Sequence, residues 1–345
     1  MVYTVTISPS GRSFRCDPDT EILRAGLASG LMLPYSCRSG VCNTCRGHVK
    51  AGEVDLGEVH PKYLTAEDRA RGYALLCQAR PCSDVTIEVD EIDVGAGVKS
   101  KFVPCRILDM KRAAPDVMIV TVGMPMNEPI AFRAGQYIEF VLRDGTRRSY
   151  SIATTPSPAG VRSVELHIRH LPGGRFTDRV FDGGMQLREV HKVELPLGSF
   201  FLRDKSDKPI VLLASGTGFA PIKSIVGDSL ARGIERPVTL YWGGRTRADL
   251  YMHELCEQWA REHVHIRYVP VLSNATAACR WEGRTGFVHH AVMQDFPDLS
   301  GHEVYACGTP LMVEAARRDF SHECGLPAGA FFADSFLTEK EKAAA

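Results

Sequence analysis

The chain has 345 residues, of which 44% are hydrophobic and 24% charged, and its 41 Lys and Arg balance 41 Asp and Glu. One hydrophobic core rarely grows to this size, so two or three domains are expected. Zero net charge argues against nucleic acid as a main partner. The N-terminus lacks a signal-peptide pattern, and the apolar run at 209–214 is too short to span a bilayer. The sequence predicts a cytoplasmic protein that binds neither nucleic acid nor membrane.

The first compositional block runs to residue 92. Alternation at Tyr3, Val5 and Ile7, a Ser-Gly turn and an apolar position at Phe14 predict a β-hairpin. Asp19 and Thr20 are predicted to cap a short helix that carries Ile22, Leu23 and Leu27. Thr65 with Asp68 predicts another helix start, and alternation at Val85, Ile87 and Val89 predicts a closing strand. Residues 93–101 are small and weakly polar, which is typical of a linker.

Two further blocks differ in rhythm. Residues 102–205 contain short alternating segments punctuated by Gly and Pro, which predicts an antiparallel barrel with one helix near 176–181. Residues 206–338 alternate continuous apolar strands with helical stretches, which predicts an α/β domain with a parallel sheet. Residues 339–345 are expected to be a frayed tail. The chain is therefore predicted to be multidomain.

Four of the eleven cysteines show a metal-binding pattern. Cys37-x4-Cys42-x2-Cys45 with a distant Cys77 is the plant-type 2Fe–2S spacing. Thiolates are soft ligands that suit iron–sulfur iron, and Gly40 allows a turn that a Cβ would block. Structural zinc is the main rival, although it usually takes two short pairs of ligands. Unligated buried thiols are the remaining alternative.

Cys82 lies close to Cys77 and could be mistaken for the fourth ligand. Cys77 is preferred because the apolar residues 74–76 before it would hold it inward. The other scattered cysteines are interpreted as small buried side chains.

The second block contains two strings that suit a flavin nucleotide. Arg148 and Arg169 could pair with a pyrophosphate, and Tyr150 could pack on a ring system. Gly174 and Thr177 lie where a helix starts, so free N–H groups and a hydroxyl could take phosphate oxygens. Taken singly, each feature is equally typical of a solvated strand face or an ordinary turn.

RRSYSIA followed by HIRHLPGGRFT resembles the FAD-binding barrel of the ferredoxin–NADP reductase superfamily. The resemblance implies an antiparallel β-barrel FAD domain behind an α+β ferredoxin domain of β-grasp type. It implies FAD contacts from eight residues: Arg148, Tyr150, Ser151, His167, Ile168, Arg169, Gly174 and Thr177.

The third block opens with a strand, a Gly turn and a helix. Gly216 and Gly218 let the backbone approach a pyrophosphate at a helix N-terminus. The third glycine of the Rossmann fingerprint is missing, so a plain strand-to-helix turn is the alternative. The full string resembles the GTGxAP nucleotide motif of the same superfamily, with Thr217 inside it. The later strings YWGGRT, with Arg245, and CGTP, with Gly308 and Thr309, match the ends of its later strands.

The resemblance also implies two residues near the hydride path. Cys307 would border the nicotinamide, and Phe336 would stack on the flavin as part of a C-terminal aromatic segment. Because aromatic runs are more often core, and because the chain continues past it, the role of Phe336 stays open. Arg245 and Arg247 could bind the 2′-phosphate of NADPH or be solvated. NADH is predicted, because family members with an N-terminal ferredoxin domain mostly use it.

The domain order resembles the reductases of multicomponent oxygenases and, more closely, the CDP-6-deoxy-3,4-glucoseen reductases. It implies an oxidoreductase that passes electrons from NADH to FAD, to the 2Fe–2S cluster, and to an oxygenase component or a CDP-sugar dehydrase. The protein is expected to be a monomer. A reductase acting directly on a small acceptor is an alternative. A second is a non-enzymatic module with zinc in place of the cluster and degenerate nucleotide domains.

Overall fold

The structure is a computed structural model that describes residues 1–92, 99–275 and 279–336. The chain divides into two compact units. The first comprises Met1–Lys99 with Asp334–Ala345, and the second comprises Ser100–Ala333. Most of the predicted linker and all of the predicted tail lie outside the described residues. Lys101, the last residue of that predicted linker, already belongs to a strand.

The first unit is an α+β domain around a five-stranded sheet with the order β2-β1-β7-β3-β5. Strands β1 and β7 are parallel, whereas the β1–β2, β3–β7 and β3–β5 pairs are antiparallel. Its elements are β1 (Tyr3–Ser8), β2 (Ser13–Cys16), α1 (Ile22–Ala28), β3 (Arg46–Ala51), β4 (Val54–Asp55), α2 (Ala66–Ala70), β5 (Tyr73–Leu75), β6 (Arg80–Pro81) and β7 (Val85–Glu88).

Most local predictions for this unit are confirmed. The hairpin pairs Val5 with Phe14, and α1 buries Ile22 and Leu23. The predicted cap of α1 is wrong, since the helix begins after Glu21 without a side-chain cap. Backbone bonds that Ile22 and Leu23 donate to the carbonyls of Ala79 and Leu76 satisfy part of that helix end instead. The cap of α2 is confirmed as a reciprocal box between Thr65 and Asp68.

The second unit begins with an antiparallel sheet that forms the predicted barrel. Its strand order is β11-β10-β13-β8-β9-β12, and a bridge between Ile152 and Leu166 brings its two edge strands together. The interior is apolar, with Ile107, Phe140 and Leu166 fully buried. The elements are β8 (Lys101–Ala114), β9 (Val117–Gly123), β10 (Tyr137–Val141), β11 (Arg147–Ser151), β12 (Ser163–Arg169), α3 (Arg175–Phe181) and β13 (Val190–Leu197).

The same unit continues into the predicted parallel sheet, with the order β17-β16-β15-β14-β18-β19. Strand β14 is parallel to both β15 and β18. The elements are β14 (Ile210–Ser215), α4 (Phe219–Ala231), β15 (Val238–Gly244), α5 (His253–Glu262), β16 (Ile266–Leu272), β17 (Arg284–Thr285), α6 (Val288–Asp295), β18 (Glu303–Gly308), α7 (Pro310–Glu323) and β19 (Phe331–Ser335).

This strand order fixes where a ligand can bind. From β14 the chain proceeds outward through β15, β16 and β17, and then returns to place β18 on the other side of β14. The point between β14 and β18 is therefore a topological switch point, where open α/β sheets bind ligands outside the carboxyl ends of the strands. Of the helices in the described ranges, none combines the length and the apolar character that a membrane crossing needs.

Candidate cofactor sites

The first unit carries the predicted cysteine loop between α1 and β3. Its backbone turns sharply, since Arg38, Gly40 and Asn43 all have φ between 54° and 78°. A Cβ at Gly40 would lie 3.0 Å from Cγ of Gln78, the residue after Cys77. The loop therefore needs a glycine where it passes the segment that supplies the fourth cysteine.

The four sulfurs form two pairs. A hydrogen bond from the Cys42 thiol stabilises the Cys37 thiolate and lowers the pKa of Cys37 to about 5. In the same way the Cys45 thiol lowers the pKa of Cys77. The pKa values of Cys42 and Cys45 are raised, because each thiol donates to its partner and is buried. Two pairs of cysteine sulfurs match the needs of two irons, each of which takes two cysteines.

The donor geometry suits a two-iron cluster better than one zinc. A tetrahedral zinc with four thiolates needs sulfur–sulfur distances of roughly 3.8 Å throughout. Among the described residues, no three of these four cysteine sulfurs all lie within 4.8 Å of one another. The Ser39 amide donates to Sγ of Cys37 at 3.4 Å. Cys82 is exposed whereas Cys77 is buried, which supports the preference for Cys77.

The second unit brings the two predicted flavin strings together. Arg148, Tyr150 and Ser151 lie on β11 or at its end, and Ile168 lies on β12. The bridge between Ile152 and Leu166 places these strands side by side. The ring of Tyr150 packs on Phe176 with centroids 5.4 Å apart. The barrel thus gathers residues from separate parts of the sequence at one edge.

One hydroxyl in this group fits a bound flavin. The Oγ of Ser151 is buried and has no hydrogen-bond partner among the described residues. A buried hydroxyl without a partner is costly, so its presence in the predicted motif indicates a ligand atom. The Thr177 hydroxyl, by contrast, already donates to the Leu171 carbonyl at 2.9 Å. Gly174 is the N-cap of α3.

His167 lies deep in the interior, with a fully buried side chain. Its Nε2 lies 2.8 Å from Glu165 and its Nδ1 lies 2.7 Å from the hydroxyl of Tyr251. Burial lowers the pKa of His167, so the neutral imidazole donates from Nε2 and accepts at Nδ1. Burial opposes ionisation of Glu165, yet the His167 hydrogen bond and the Lys223 charge lower its pKa to about 2. The ring therefore has no free nitrogen for a flavin.

Arg169 extends from β12 toward the parallel sheet. Its guanidinium pairs with Asp116 at 3.0 Å and with Asp249 at 2.6 Å. A Cβ at Gly216 would lie 2.6 Å from Nη1 of Arg169. The arginine predicted to bind a flavin phosphate therefore lies directly against the predicted nicotinamide turn.

The nicotinamide turn has the predicted form. Residues Gly216–Gly218 make one 3₁₀ turn between β14 and α4. The indole of Trp242 donates to the Gly216 carbonyl at 3.0 Å and stacks on Phe219 at 3.9 Å between centroids. Trp242 on β15 thereby holds the turn after β14 and the first residue of α4 in place.

The turn packs against the end of β18, as the switch point requires. A Cβ at Gly218 would collide with the carbonyl oxygen of Cys307, and a Cβ at Gly308 would collide with Oγ of Ser215. The Thr309 amide donates to that same Oγ at 3.2 Å. Glycine is thus required at 218 and 308 because these parts of the chain approach closely. The carboxyl ends of β14 and β18 therefore bring together all the predicted residues of this turn: Gly216, Thr217, Gly218, Cys307, Gly308 and Thr309.

Arg245 follows β15 and joins the Arg169 network. Its Nη2 lies 3.3 Å from Asp116 and 3.2 Å from Asp249. Asp249 also forms a capping box with Thr246. Asp116, Asp249 and Tyr251 were not predicted as site residues. The Thr-x-x-Asp spacing is typical of a capping box and could have indicated Asp249, whereas no local pattern in the sequence marks Asp116 as a site residue.

The C-terminal aromatic segment is divided between the two units. Phe332 stacks on Tyr305 with centroids 4.8 Å apart. Asp334, in the unit that contains the cysteine loop, accepts a 2.5 Å hydrogen bond from the hydroxyl of Ser36, next to Cys37. Phe336 is half-buried in that unit, and its stacking on a flavin stays a prediction.

Comparison with known families assigns a function to each of the three parts. Residues 5–82 match the 2Fe-2S iron-sulfur cluster binding domain, 104–202 the oxidoreductase FAD-binding domain, and 212–318 the oxidoreductase NAD-binding domain. The chain is therefore an iron–sulfur flavoprotein reductase, in which electrons pass from NAD(P)H through FAD to a 2Fe–2S cluster.

Relatives share this organisation over their full length. A CDP-6-deoxy-L-threo-D-glycero-4-hexulose-3-dehydrase reductase of Yersinia pseudotuberculosis is 38% identical over 99% of this chain and 100% of that protein. The reductase subunit of an aromatic O-demethylase of Amycolatopsis is 39% identical over 92% and 94%. The crystal structure of an Amycolatopsis cytochrome P450 reductase, 36% identical, superposes with a TM-score of 0.78 over 97% of this chain and 99% of that one. The chain belongs to this family of three-domain reductases.

Proposed function

We propose that this reductase oxidises NADH and delivers electrons one at a time from its cluster to a separate protein, either an oxygenase component or a CDP-sugar dehydrase. When bound, FAD takes two electrons as a hydride and releases them singly to the cluster, so the protein supplies position and electrostatics. The names of the relatives support both kinds of partner. The cytoplasm is the predicted location.

The observation that carries this proposal is the uneven burial of the cluster ligands. As whole residues, Cys45 and Cys77 are buried, whereas Cys37 and Cys42 are partly exposed although their sulfurs are shielded from water. The loop residues Arg38, Ser39, Asn43 and Thr44 are also partly exposed. A partner protein could approach this loop closely, and we assign the exit of electrons to the Cys37–Cys42 side.

The remaining residues receive roles from their positions. Arg148, Tyr150, Ser151, Ile168, Gly174 and Thr177 would hold FAD at the barrel edge. His167 would act by positioning, since both its nitrogens are used. Arg169 lies where it could meet a phosphate of either nucleotide, while Gly216, Thr217, Gly218, Gly308 and Thr309 would cradle the nicotinamide nucleotide beside Cys307.

NADH is favoured over NADPH by the balance of charge at Arg245. Its guanidinium lies within 3.3 Å of two carboxylates, those of Asp116 and Asp249. The same carboxylates also pair with Arg169. The charges of Arg169 and Arg245 are thus balanced by those of Asp116 and Asp249, which weakens the attraction of Arg245 for a 2′-phosphate. Arg247, the second candidate, is exposed and lies outside this network.

A comparison of two acceptors tests the electron path. Cys42→Ser should retain NADH oxidation by two-electron dyes but lose most reduction of cytochrome c, a one-electron acceptor. The control is Cys82→Ser, an exposed cysteine outside the cluster, which should retain both activities. If Cys42→Ser keeps its flavin absorption and melting temperature and still reduces cytochrome c fully, the cluster is not the exit.

Reconstitution identifies the partner. The purified reductase is mixed anaerobically with NADH and, in turn, with a candidate oxygenase component and a candidate CDP-sugar dehydrase from the same organism. Product formation that requires the reductase and one of these proteins identifies the acceptor. Rapid turnover of a small acceptor with neither protein would instead favour a reductase that needs no partner.

A further inference from the structure

A cluster of metal-ligating side chains uses none of the residues assigned to the three cofactor sites. It consists of His289 and His290, in the first turn of α6, and Asp319, near the end of α7. One donor atom from each residue lies within 4.8 Å of the other two. We propose that these three residues form a site for a divalent transition metal of the zinc class, which clamps α6 to α7 in the nucleotide domain.

The chemistry of the donors selects this class of metal. Two imidazole nitrogens and one carboxylate oxygen are a common ligand set for zinc, with water in the fourth position. Calcium and magnesium prefer sites made of oxygen donors. Imidazole suits zinc, copper and nickel among the available divalent ions. A two-histidine, one-carboxylate group therefore indicates a transition metal.

The distances fit without movement of the two buried residues. Nε2 of His289 lies 3.4 Å from Oδ2 of Asp319. Two ligands of a tetrahedral zinc, each bonded at about 2.0–2.1 Å, are separated by roughly 3.3–3.4 Å. The two atoms form an ion-pair contact but no hydrogen bond of acceptable geometry within the described ranges. Their separation thus matches the edge of a zinc tetrahedron.

Burial and support hold these two ligands in place. The side chains of His289 and Asp319 are each only 9% exposed. Arg318 donates to the other oxygen of Asp319 at 2.7 Å, which leaves Oδ2 directed to the histidine. Such outer contacts orient metal ligands. Arg318 is 69% exposed, so solvent screens its opposing charge.

His290 completes the set from the solvent side. It is exposed, and its ring centroid lies 4.2 Å from that of His289. One of its ring nitrogens already lies within 4.8 Å of the His289 and Asp319 donor atoms, and we expect a change between staggered rotamers to close the remaining distance. Because His290 is itself exposed, a metal ion can reach the site from solvent on this side.

Equilibrium dialysis against zinc tests the proposal. Protein that carries both flavin and cluster is dialysed at pH 8 against increasing zinc, and zinc and iron per chain are measured by mass spectrometry. We expect one zinc per chain with unchanged iron. His290→Gln and Asp319→Asn should each weaken zinc binding about tenfold or more, whereas His322→Gln, an exposed histidine on α7, should not.

Folding is monitored by melting temperature, which a fixed zinc concentration should raise equally in the wild type and in His322→Gln and clearly less in His290→Gln. Equal zinc retention in all four proteins would overturn the proposal, and so would no retention by the wild type. Zinc bound only with loss of iron and visible absorption would place the metal at the cysteines and would also overturn it.

Discussion

Nδ1 of His167 accepts a 2.7 Å hydrogen bond from the hydroxyl of Tyr251 and thereby links the flavin barrel to the nucleotide domain. The two residues are 84 positions apart in sequence. Glu165 fixes the tautomer of the same ring from the other side. The pair holds β12, which carries Ile168 and Arg169, against the element that follows β15.

Tyr251→Phe should weaken this link without altering its packing. The buried Nδ1 would lose its partner, which costs about 1–3 kcal/mol. Chemical or thermal unfolding should show this loss, with the flavin content retained. Tyr268→Phe is the comparison, because it removes a similar bond to His253, which is less buried, and should cost less. Equal stability of Tyr251→Phe and wild type would show that this hydrogen bond does not contribute to the free energy of unfolding.

Ser151→Ala should separate flavin binding from stability. In the absence of FAD the buried Oγ has no partner, so its removal should leave the melting temperature of the apoprotein unchanged or slightly raised. FAD affinity should fall roughly five- to tenfold, since about 1 kcal/mol of hydrogen bonding is lost. Flavin fluorescence titration measures it. A lower apoprotein melting temperature with unchanged FAD affinity would assign Ser151 to the fold alone.

Gly218→Ala should damage the nicotinamide site. The added Cβ would collide with the Cys307 carbonyl, and the backbone shift that relieves it costs about 1–3 kcal/mol. We expect a large rise in KM for NADH in steady-state assays, with FAD still bound. Gly329→Ala is the matched control, because a Cβ there meets nothing within 4 Å. A KM like that of the control would refute a close approach of nucleotide and turn.

Asp116→Asn should relax the preference for NADH. The change retains the shape of the side chain but releases the charges of Arg169 and Arg245. Because partly exposed pairs contribute about 0.2–1 kcal/mol, the kcat/KM of NADPH relative to NADH should rise roughly two- to fivefold. Asp144→Asn removes a pair with Arg175 elsewhere on the barrel and should leave the ratio unchanged. An unchanged ratio in both variants would exclude Asp116 from specificity.

Local patterns predicted much of the fold correctly. Alternating apolar residues predicted the hairpin and the barrel strands, and continuous apolar strands between helices predicted the parallel sheet. The order of these elements along the chain was also predicted correctly. The cap of α1 was wrong because backbone bonds to Leu76 and Ala79, more than fifty residues away, satisfy that helix end. Distant contacts of this kind leave no periodic signal in a sequence.

The sequence by itself determined the cofactors. Cysteine spacing, the strings around Tyr150 and the glycines after β14 are local, because a metal loop or a phosphate turn needs its residue types within a few positions. Only the tertiary structure decided the partners of these residues. It paired Cys37 with Cys42 and Cys45 with Cys77, packed Gly218 on Cys307, and tied Arg169 to Asp116 and Asp249. These contacts depend on which elements the sheets bring together. The same contacts determine which side chains are buried and which charges are paired.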